Sequence, residues 1–300
     1  MNAPNAASAT ACCATFYEQD WVRAALGDSF HPGGIELSAR LVRSLHLPPG
    51  ARVLDVACGI GTTTRLMARA FGLAAFGLDV SEANVAKAQV LAGEPLPAPA
   101  VFASGSAEAL PFPDGSFDAV VCECAVSTFP DQPRVLAEFA RVLKPGGVVG
   151  ISDMLVEGDL PPDLAGRIAP WTCLGGARSA VGYQSLFLAA GLRVTGYADE
   201  TAALRELVVD LKRQLLTAGL ARSLGAVPGL EGLDVRELRD LLRRAGALVD
   251  AGGVQYARMT CAKGRPRFTP SLAPYVAGVG SPPLDCDPAT GCCEGEPPRG

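Results

Sequence analysis

The sequence predicts an α/β fold, a doubly wound and mostly parallel sheet with helices before it and a helical insert near its end. From residue 50 onward, short apolar runs alternate with helical periodicity, which is typical of a parallel sheet. A glycine-rich turn joins the first such run to its helix, as in nucleotide-binding α/β folds. The 300 residues, 49% of them hydrophobic, suffice for one large core.

The elements follow from periodicity and from turn residues. Before residue 50, two helices are expected, separated by the His-Pro-Gly-Gly turn at 31–34. A helix is expected from Ser81 to Leu91, with Ser81 as a favourable N-cap, and Lys-Pro-Gly-Gly at 144–147 is a stop signal. Strands are expected at 52–57, 74–79, 101–102, 117–122, 148–152, 192–197 and 254–261, and further helices at 62–71, 132–143, 202–222 and 235–249.

The chain divides into four expected parts. Residues 1–15 form a flexible, cysteine-containing arm, and residues 16–49 form the N-terminal helices. Residues 50–263 form the α/β domain, with an insert at about 155–190. In the segment 264–300, 14 of the 37 residues are Pro or Gly, so this segment is expected to be a disordered tail that also carries cysteines.

Composition excludes several partners. A net charge of -5 and a pI near 5.2 argue against a nucleic-acid partner, which requires a basic face. No uninterrupted apolar run reaches about 18 residues, so no membrane span is expected. The start of the chain lacks the basic residues of a secretory signal, which makes a cytoplasmic protein the expectation. In that compartment the ten cysteines should stay reduced, so their role is thiol chemistry or packing.

Four segments together resemble the class I S-adenosylmethionine-dependent methyltransferases, over about residues 50–155. They are Asp-Val-Ala-Cys-Gly-Ile-Gly at 55–61, Leu-Asp-Val at 78–80, the 105–118 segment that begins Gly-Ser-Ala-Glu, and Arg-Val-Leu-Lys-Pro-Gly-Gly at 141–147. The resemblance implies S-adenosylmethionine as cofactor. It assigns the methionine end to Asp55 and the 57–61 turn, the ribose to Asp79, and the adenine to Ser106–Glu108. The implied cofactor-binding residues are Asp55, Ala57, Gly59, Gly61, Asp79, Val80, Ser106, Ala107 and Glu108.

Two positions depart from the family's pattern. Ala57 stands where the family usually has its first glycine, and a small residue can take that place. Ser106 stands where an aspartate is common, so its contact with the adenine amine would be a neutral hydrogen bond, weaker than a charge-assisted one.

Two cysteine segments narrow the resemblance to the arsenite methyltransferases. Glu-Cys-Ala-Val-Ser-Thr-Phe-Pro-Asp (123–131) follows the fourth predicted strand, and Trp-Thr-Cys-Leu-Gly-Gly-Ala (171–177) lies in the insert. The resemblance implies that Cys124 and Cys173 are the catalytic thiolates and bind trivalent arsenic, as arsenite or its thiol conjugate. Glutathione or thioredoxin would be the reductant. Trivalent arsenic is soft and its nucleophilic lone pair carries no proton, so positioning would supply most of the catalysis.

The sequence does not decide which cysteine supplies the third thiolate. The family usually supplies an N-terminal cysteine from a segment that this chain lacks, and Cys12 and Cys13 are the substitutes, unless the arm is an inert tail. Cys286, Cys292 and Cys293 in the tail either capture the ion through tethering or scavenge soft ions without specificity. Cys58, Cys122 and Cys261 are interpreted as packing residues. His31 and His46 are interpreted as surface or helix-packing residues outside the site.

Two other functions compete with arsenite methylation. One is a methyltransferase for a small organic molecule, which would require a general base or a large apolar cap. The other is a metal or metalloid-binding protein with a degenerate cofactor site, which would not bind S-adenosylmethionine.

Overall fold

A computed structural model describes residues 29–93, 95–167, 172–214 and 235–265. Seven strands form one sheet in the order β3-β2-β1-β4-β5-β7-β6. The strands are β1 (Arg52–Val56), β2 (Ala74–Asp79), β3 (Ala100–Ser104), β4 (Phe117–Glu123), β5 (Leu143–Val156), β6 (Leu192–Asp199) and β7 (Val254–Lys263). The first five are parallel, whereas β7 is antiparallel to both β5 and β6. The predicted fold class is confirmed.

In the part of the chain that the structure describes, one helix precedes β1, and the others lie in the connections between strands. They are α1 (Gly34–Arg43), α2 (Thr62–Ala70), α3 (Glu82–Leu91), α4 (Gln132–Val142), α5 (Pro162–Arg167), α6 (Ala180–Ala189), α7 (Thr201–Gln214) and α8 (Val235–Asp250). Ser81 caps α3 as predicted, because its side chain accepts a hydrogen bond from the Asn84 amide. Among the described residues, no helix has both the length and the apolar character needed to cross a bilayer.

Helices cover both faces of the sheet. On one face, α4 and α6 pack through Phe139, Tyr183 and Phe187 against buried strand residues. On the other face, α1 and α2 pack through residues such as Leu41 and Met67. A third apolar cluster lies beyond the carboxyl end of β4, where α7 and α8 meet the insert, and it contains Cys124 and Cys173. The cysteine pair is therefore built into a packed region.

One predicted boundary is wrong. The Lys-Pro-Gly-Gly segment was expected to separate α4 from a strand at 148–152, but β5 starts at Leu143 and runs through it. The register between β4 and β5 shifts there, with Phe117 opposite Leu143 and Ala119 opposite Val148. The turn residues thus form an irregularity inside a longer strand. The N-terminal arm and nearly all of the 264–300 tail lie outside the described residues.

Candidate active site

A cleft opens above the carboxyl ends of β1 and β2, where this fold class binds its ligands. Asp55, Ala57, Gly59, Asp79 and Val80, all predicted cofactor residues, line it. The Asp79 carboxylate accepts hydrogen bonds from the backbone amides of Gly59 (2.8 Å) and Ser81 (2.9 Å). These two amides hold the carboxylate at the edge of the cleft, in reach of a pair of ligand hydroxyls.

The glycine-rich turn has two roles in this structure. Ala57 and Gly59 both have left-handed backbones, with φ of 59° and 54°. A Cβ on Gly59 would lie 3.4 Å from the Phe30 ring, an ordinary contact, so the left-handed backbone and not a lack of space favours glycine at this position. Gly61 does not line the cleft. A Cβ there would come 2.7 Å from Cζ of Phe102, so this glycine permits close packing of α2 against β3.

Asp55 lies at the base of the cleft and is buried. Its carboxyl accepts a hydrogen bond from the Thr64 hydroxyl at 2.6 Å. Burial raises the pKa of Asp55 to about 8, and the nearby carboxyls of Glu123 and Asp79 add to the rise. The group is therefore largely protonated at neutral pH unless a cation approaches it.

The predicted adenine-side segment follows β3. Gly105 donates its amide to the Asp79 carbonyl at 2.9 Å, which places the 106–108 turn beside the end of β2. Ser106 is exposed and accepts the Glu108 amide at 3.2 Å, while Ala107 is buried in the core. None of these three residues lines the cleft as the structure describes it, so their contact with adenine stays a prediction.

A nucleoside with a cationic amino-acid end fits the groups at this cleft. Oδ1 of Asn84 is buried, lines the cleft and has no hydrogen-bond partner among the described residues. The Asp79 carboxylate is placed for the ribose hydroxyls, and the Asp55 carboxyl is placed for a positive charge. The chain's own donors and acceptors thus match the cofactor that its motifs imply.

The two predicted catalytic cysteines lie side by side. Cys124 directly follows β4 and lines the cleft, whereas Cys173 comes from the insert, yet their sulfurs are only 2.7 Å apart. The Cys173 thiol also donates to the Cys124 carbonyl at 3.1 Å. Both cysteines are buried, and neither is part of a disulfide. The structure therefore brings together two residues that are 49 positions apart in sequence.

The backbone at Cys124 is strained. Its φ of 51° is uncommon for a residue with a side chain, and its amide is held by the Ser152 carbonyl at 2.6 Å. The hydrogen bond with Cys173 and then burial raise the pKa of Cys124 well above that of a free thiol, and a hydrogen bond with Tyr256 opposes the rise. Cys124 is thus a neutral thiol at rest, and ligation of a soft ion must displace its proton.

The remaining cysteines divide as follows. Cys122 and Cys261 are fully buried in the core, as interpreted from the sequence. Cys58 packs beside Phe102, and a Cβ on Gly77 would come 2.8 Å from its sulfur. The described part of the chain contains no group of three His, Cys, Asp or Glu able to hold a metal. The candidate third ligands Cys12 and Cys13, and the tail cysteines 286, 292 and 293, lie outside the described residues.

His31 contacts Ser38 of α1, as a helix-packing residue would, but its expected position outside the site is wrong. His31 is buried and lines the same cleft, with Nε2 3.5 Å from the Glu123 carboxylate and 3.1 Å from the Ser38 hydroxyl. Glu123 also accepts hydrogen bonds from Ser38 (2.9 Å) and Thr63 (2.7 Å). The sequence feature that could have indicated this network is Glu123 itself, an acidic residue between two cysteines. His46, by contrast, is exposed as expected.

The family comparison fits this geometry. Residues 54–151 match the family model described as a methyltransferase domain. The match covers about a third of the chain, and the seven-stranded sheet with its cleft is the Rossmann-like fold of class I S-adenosylmethionine-dependent methyltransferases. S-adenosylmethionine is the cofactor of this class, which confirms the cofactor expected from the sequence.

Individual relatives extend the comparison. A 2-methyl-6-phytyl-1,4-hydroquinone methyltransferase of Synechocystis sp. is 43% identical over 36% of this chain and 33% of its own length. A methyltransferase of Streptomyces halstedii is 34% identical over 57% of this chain and 63% of its own. The chain thus spans less than two thirds of either relative.

A solved structure gives the fold comparison. A Haemonchus contortus phosphoethanolamine N-methyltransferase in complex with S-adenosyl-L-methionine superimposes with a TM-score of 0.65 at 18% identity. The superposition covers 83% of this chain and 56% of that one. At this identity the similarity establishes a common fold.

Proposed function

We propose that this protein transfers the methyl group of S-adenosylmethionine to trivalent arsenic, as arsenite or methylated arsenite bound to Cys124 and Cys173, and so detoxifies arsenic. The observation that carries the proposal is the pair of buried sulfurs 2.7 Å apart at the edge of the cofactor cleft. Two thiols from separate elements meet where the class holds its methyl acceptor.

The chemistry of the pair suits a soft, pyramidal ion. Sulfur ligands bind soft ions in preference to hard ones, and two sulfurs on adjacent backbones can occupy two sites of one ion. The arsenic lone pair would attack the methyl carbon while the carbon–sulfonium bond breaks, leaving S-adenosylhomocysteine. Because this nucleophile carries no proton, no base has to act in the transfer. The rate acceleration would come from orienting the arsenic lone pair toward the methyl carbon.

The cofactor residues have separate roles in this proposal. Asp79 would hold the ribose hydroxyls, Gly59 would admit the cofactor to the backbone of the turn, and Asp55 would face the cationic methionine end. Cys12 or Cys13 would provide the third thiolate, or an external thiol would. Methyl transfer to the lone pair makes the arsenic pentavalent, and two thiolates would return it to the trivalent state by giving up two electrons and forming a disulfide. Glutathione or thioredoxin would then reduce this disulfide, which requires a reducing compartment such as the cytoplasm.

Methyl transfer to arsenite in the presence of glutathione tests the proposal. We expect Cys124→Ser and Cys173→Ser to lose about 100-fold or more in kcat/KM, because each leaves the ion with one fewer sulfur ligand and misplaces it. Cys261→Ala is the matched control, since this cysteine is buried in the core away from the cleft. Turnover unchanged in both serine variants would refute the arsenic proposal.

A second candidate is methylation of a small organic molecule that must lose a proton. It is favoured by one observation, the buried His31 beside Glu123 in the same cleft. The His31 imidazole is the candidate base of this alternative, with Nδ1 3.0 Å from the Pro32 carbonyl and Nε2 3.1 Å from the Ser38 hydroxyl. An acidic hydroxyl or carbon next to the cofactor methyl could use this base.

Replacement of His31 separates the two candidates. Under the arsenic proposal, His31→Gln should keep arsenite methylation within about tenfold, because the transfer needs no base. Under the organic alternative, methylation of a phenolic or hydroquinone acceptor should fall by about 100-fold to 10,000-fold. The measurement is the rate of S-adenosylhomocysteine formation with each acceptor. If His31→Gln loses arsenite turnover and the wild type methylates a phenol at a high rate, the organic alternative is favoured.

A further inference from the structure

We propose that Gly176 and Gln132 are positioning residues that set the spacing of the Cys124 and Cys173 sulfurs. With Ser127 and Arg178 they form what we call the thiol clamp, a contact between the loop after β4 and the loop that carries Cys173. The consequence for turnover rests on the proposed arsenic function, but the spacing itself can be measured without arsenic.

The first half of the clamp is fixed to the sheet. Ser127, three residues after Cys124, is buried, and its amide and hydroxyl both donate to the carboxylate of Asp153 on β5, at 2.9 and 2.6 Å. Asp153 is fully buried and also accepts the Met154 amide at 2.7 Å. The Ser127 carbonyl therefore points from a rigid position toward the insert.

The second half approaches that carbonyl without a side chain. A Cβ on Gly176 would overlap the Ser127 carbonyl oxygen, and it would lie 2.8 Å from Nε2 of Gln132. The backbone of Gly176 is not in the left-handed region, so the obstacle to a larger residue is this contact and not the conformation. Because the overlapping atom belongs to the backbone, the loop would have to move away to admit a methyl group.

Gln132 ties the two halves together. This buried residue at the start of α4 donates from Nε2 to the Gly176 carbonyl at 2.8 Å and accepts at Oε1 from Nε of Arg178 at 2.5 Å. The Arg178 carbonyl in turn accepts the Val156 amide of β5 at 3.1 Å. Both ends of the 176–178 segment are thus anchored to elements of the domain.

The clamp acts on Cys173 through a tight turn. The Gly175 amide donates to the Thr172 carbonyl (3.3 Å), and the Ala177 amide donates to that of Leu174 (3.4 Å). Cys173 therefore follows any displacement of Gly176. Since Cys124 is held by Ser152 on the other side, movement of the insert loop separates the sulfurs.

Cross-linking with dibromobimane tests the spacing. This reagent becomes fluorescent when it bridges two thiols, and mass spectrometry of the full chain would identify the Cys124–Cys173 bridge among all cysteine pairs. We expect Gly176→Ala to reduce the yield of this bridge strongly while S-adenosylmethionine affinity is retained. Gly166→Ala is the matched control, because a Cβ on Gly166, in the same insert, meets nothing within 4 Å. Bridging at the wild-type yield in Gly176→Ala would overturn the proposal.

Gln132→Glu serves as the second variant, and it decides the question if Gly176→Ala does not fold. It keeps the pairing with Arg178 but cannot donate to the Gly176 carbonyl, so a reduced bridge yield is expected. A yield equal to the wild type would overturn the role of this hydrogen bond.

Steady-state kinetics supply a readout that a general loss of stability would not give. In both variants we expect kcat/KM for arsenite to fall by about 100-fold while KM for S-adenosylmethionine is unchanged, since a displacement of about 1 Å at the reacting groups has this effect. An equal loss for both substrates would overturn the positioning role. If the wild type does not methylate arsenite but Gly176→Ala still loses the bridge, the arsenic function fails and the clamp stands.

Discussion

At the scale of single residues, the protonation of Asp55 affects both the stability of the fold and the binding of the cofactor. Burial raises its pKa from 3.8 to about 8, so between these values the folded protein keeps a proton that the unfolded chain releases. Its contribution to stability is complete below pH 4 and is lost as the pH rises through 8. A bound cation would reverse this preference, because it stabilises the ionised carboxylate.

This predicts that S-adenosylmethionine binding releases a proton at pH 7. Calorimetric titrations in two buffers of different ionisation enthalpy measure the number of protons released, and we expect a value approaching one for the wild type. Asp55→Asn, which cannot ionise, should release none and should bind S-adenosylmethionine more weakly by about 1.5–3 kcal/mol, the range of hydrogen bonds to charged groups. Equal proton release in both proteins would contradict this role for Asp55.

At the scale of elements, the strands were predictable because their signal is local. The apolar runs of β1, β2 and β4 and the Ser81 cap are each decided by a few neighbouring residues. The start of β5 could not be predicted in this way, because Pro-Gly-Gly is locally a turn signal. The strand continues through these residues because β5 pairs with β4 both before and after them. Tertiary pairing overrides local propensity in this way.

The candidate site shows the same division. Cys124 and Cys173 could be paired from their flanking segments, because those resemble two parts of one known site. His31 could not be assigned to the site from the sequence, because nothing near it in sequence indicates that it lies beside Glu123 in the cleft. Gly176 was part of the resembling segment, but its contact with Ser127 is visible only once the two loops are packed.

At the scale of the whole molecule, the strand order separates the cofactor from the thiols. The chain winds outward from β1 to β2 and β3 and then returns to place β4 on the other side of β1. A crevice forms at this reversal. Asp55 in β1 and Asp79 at the end of β2 lie on one side of it. Cys124, directly after β4, lies on the other side with Cys173 of the insert beside it. The proposed cofactor and acceptor sites thus face each other across the crevice but are built on different strands.

This separation predicts that the two halves of the site can be disabled independently. Cys124→Ala combined with Cys173→Ala should leave S-adenosylmethionine affinity within about twofold of the wild type, because effects at separate sites add to within about 0.5 kcal/mol. Asp79→Ala should weaken cofactor binding by about 10-fold to 100-fold, as expected for lost hydrogen bonds to a carboxylate. It should nevertheless keep the dibromobimane bridge between the cysteines, since neither contact that holds them involves β2. Loss of the bridge in Asp79→Ala, or loss of cofactor binding in the double alanine variant, would mean that the two halves are one coupled unit.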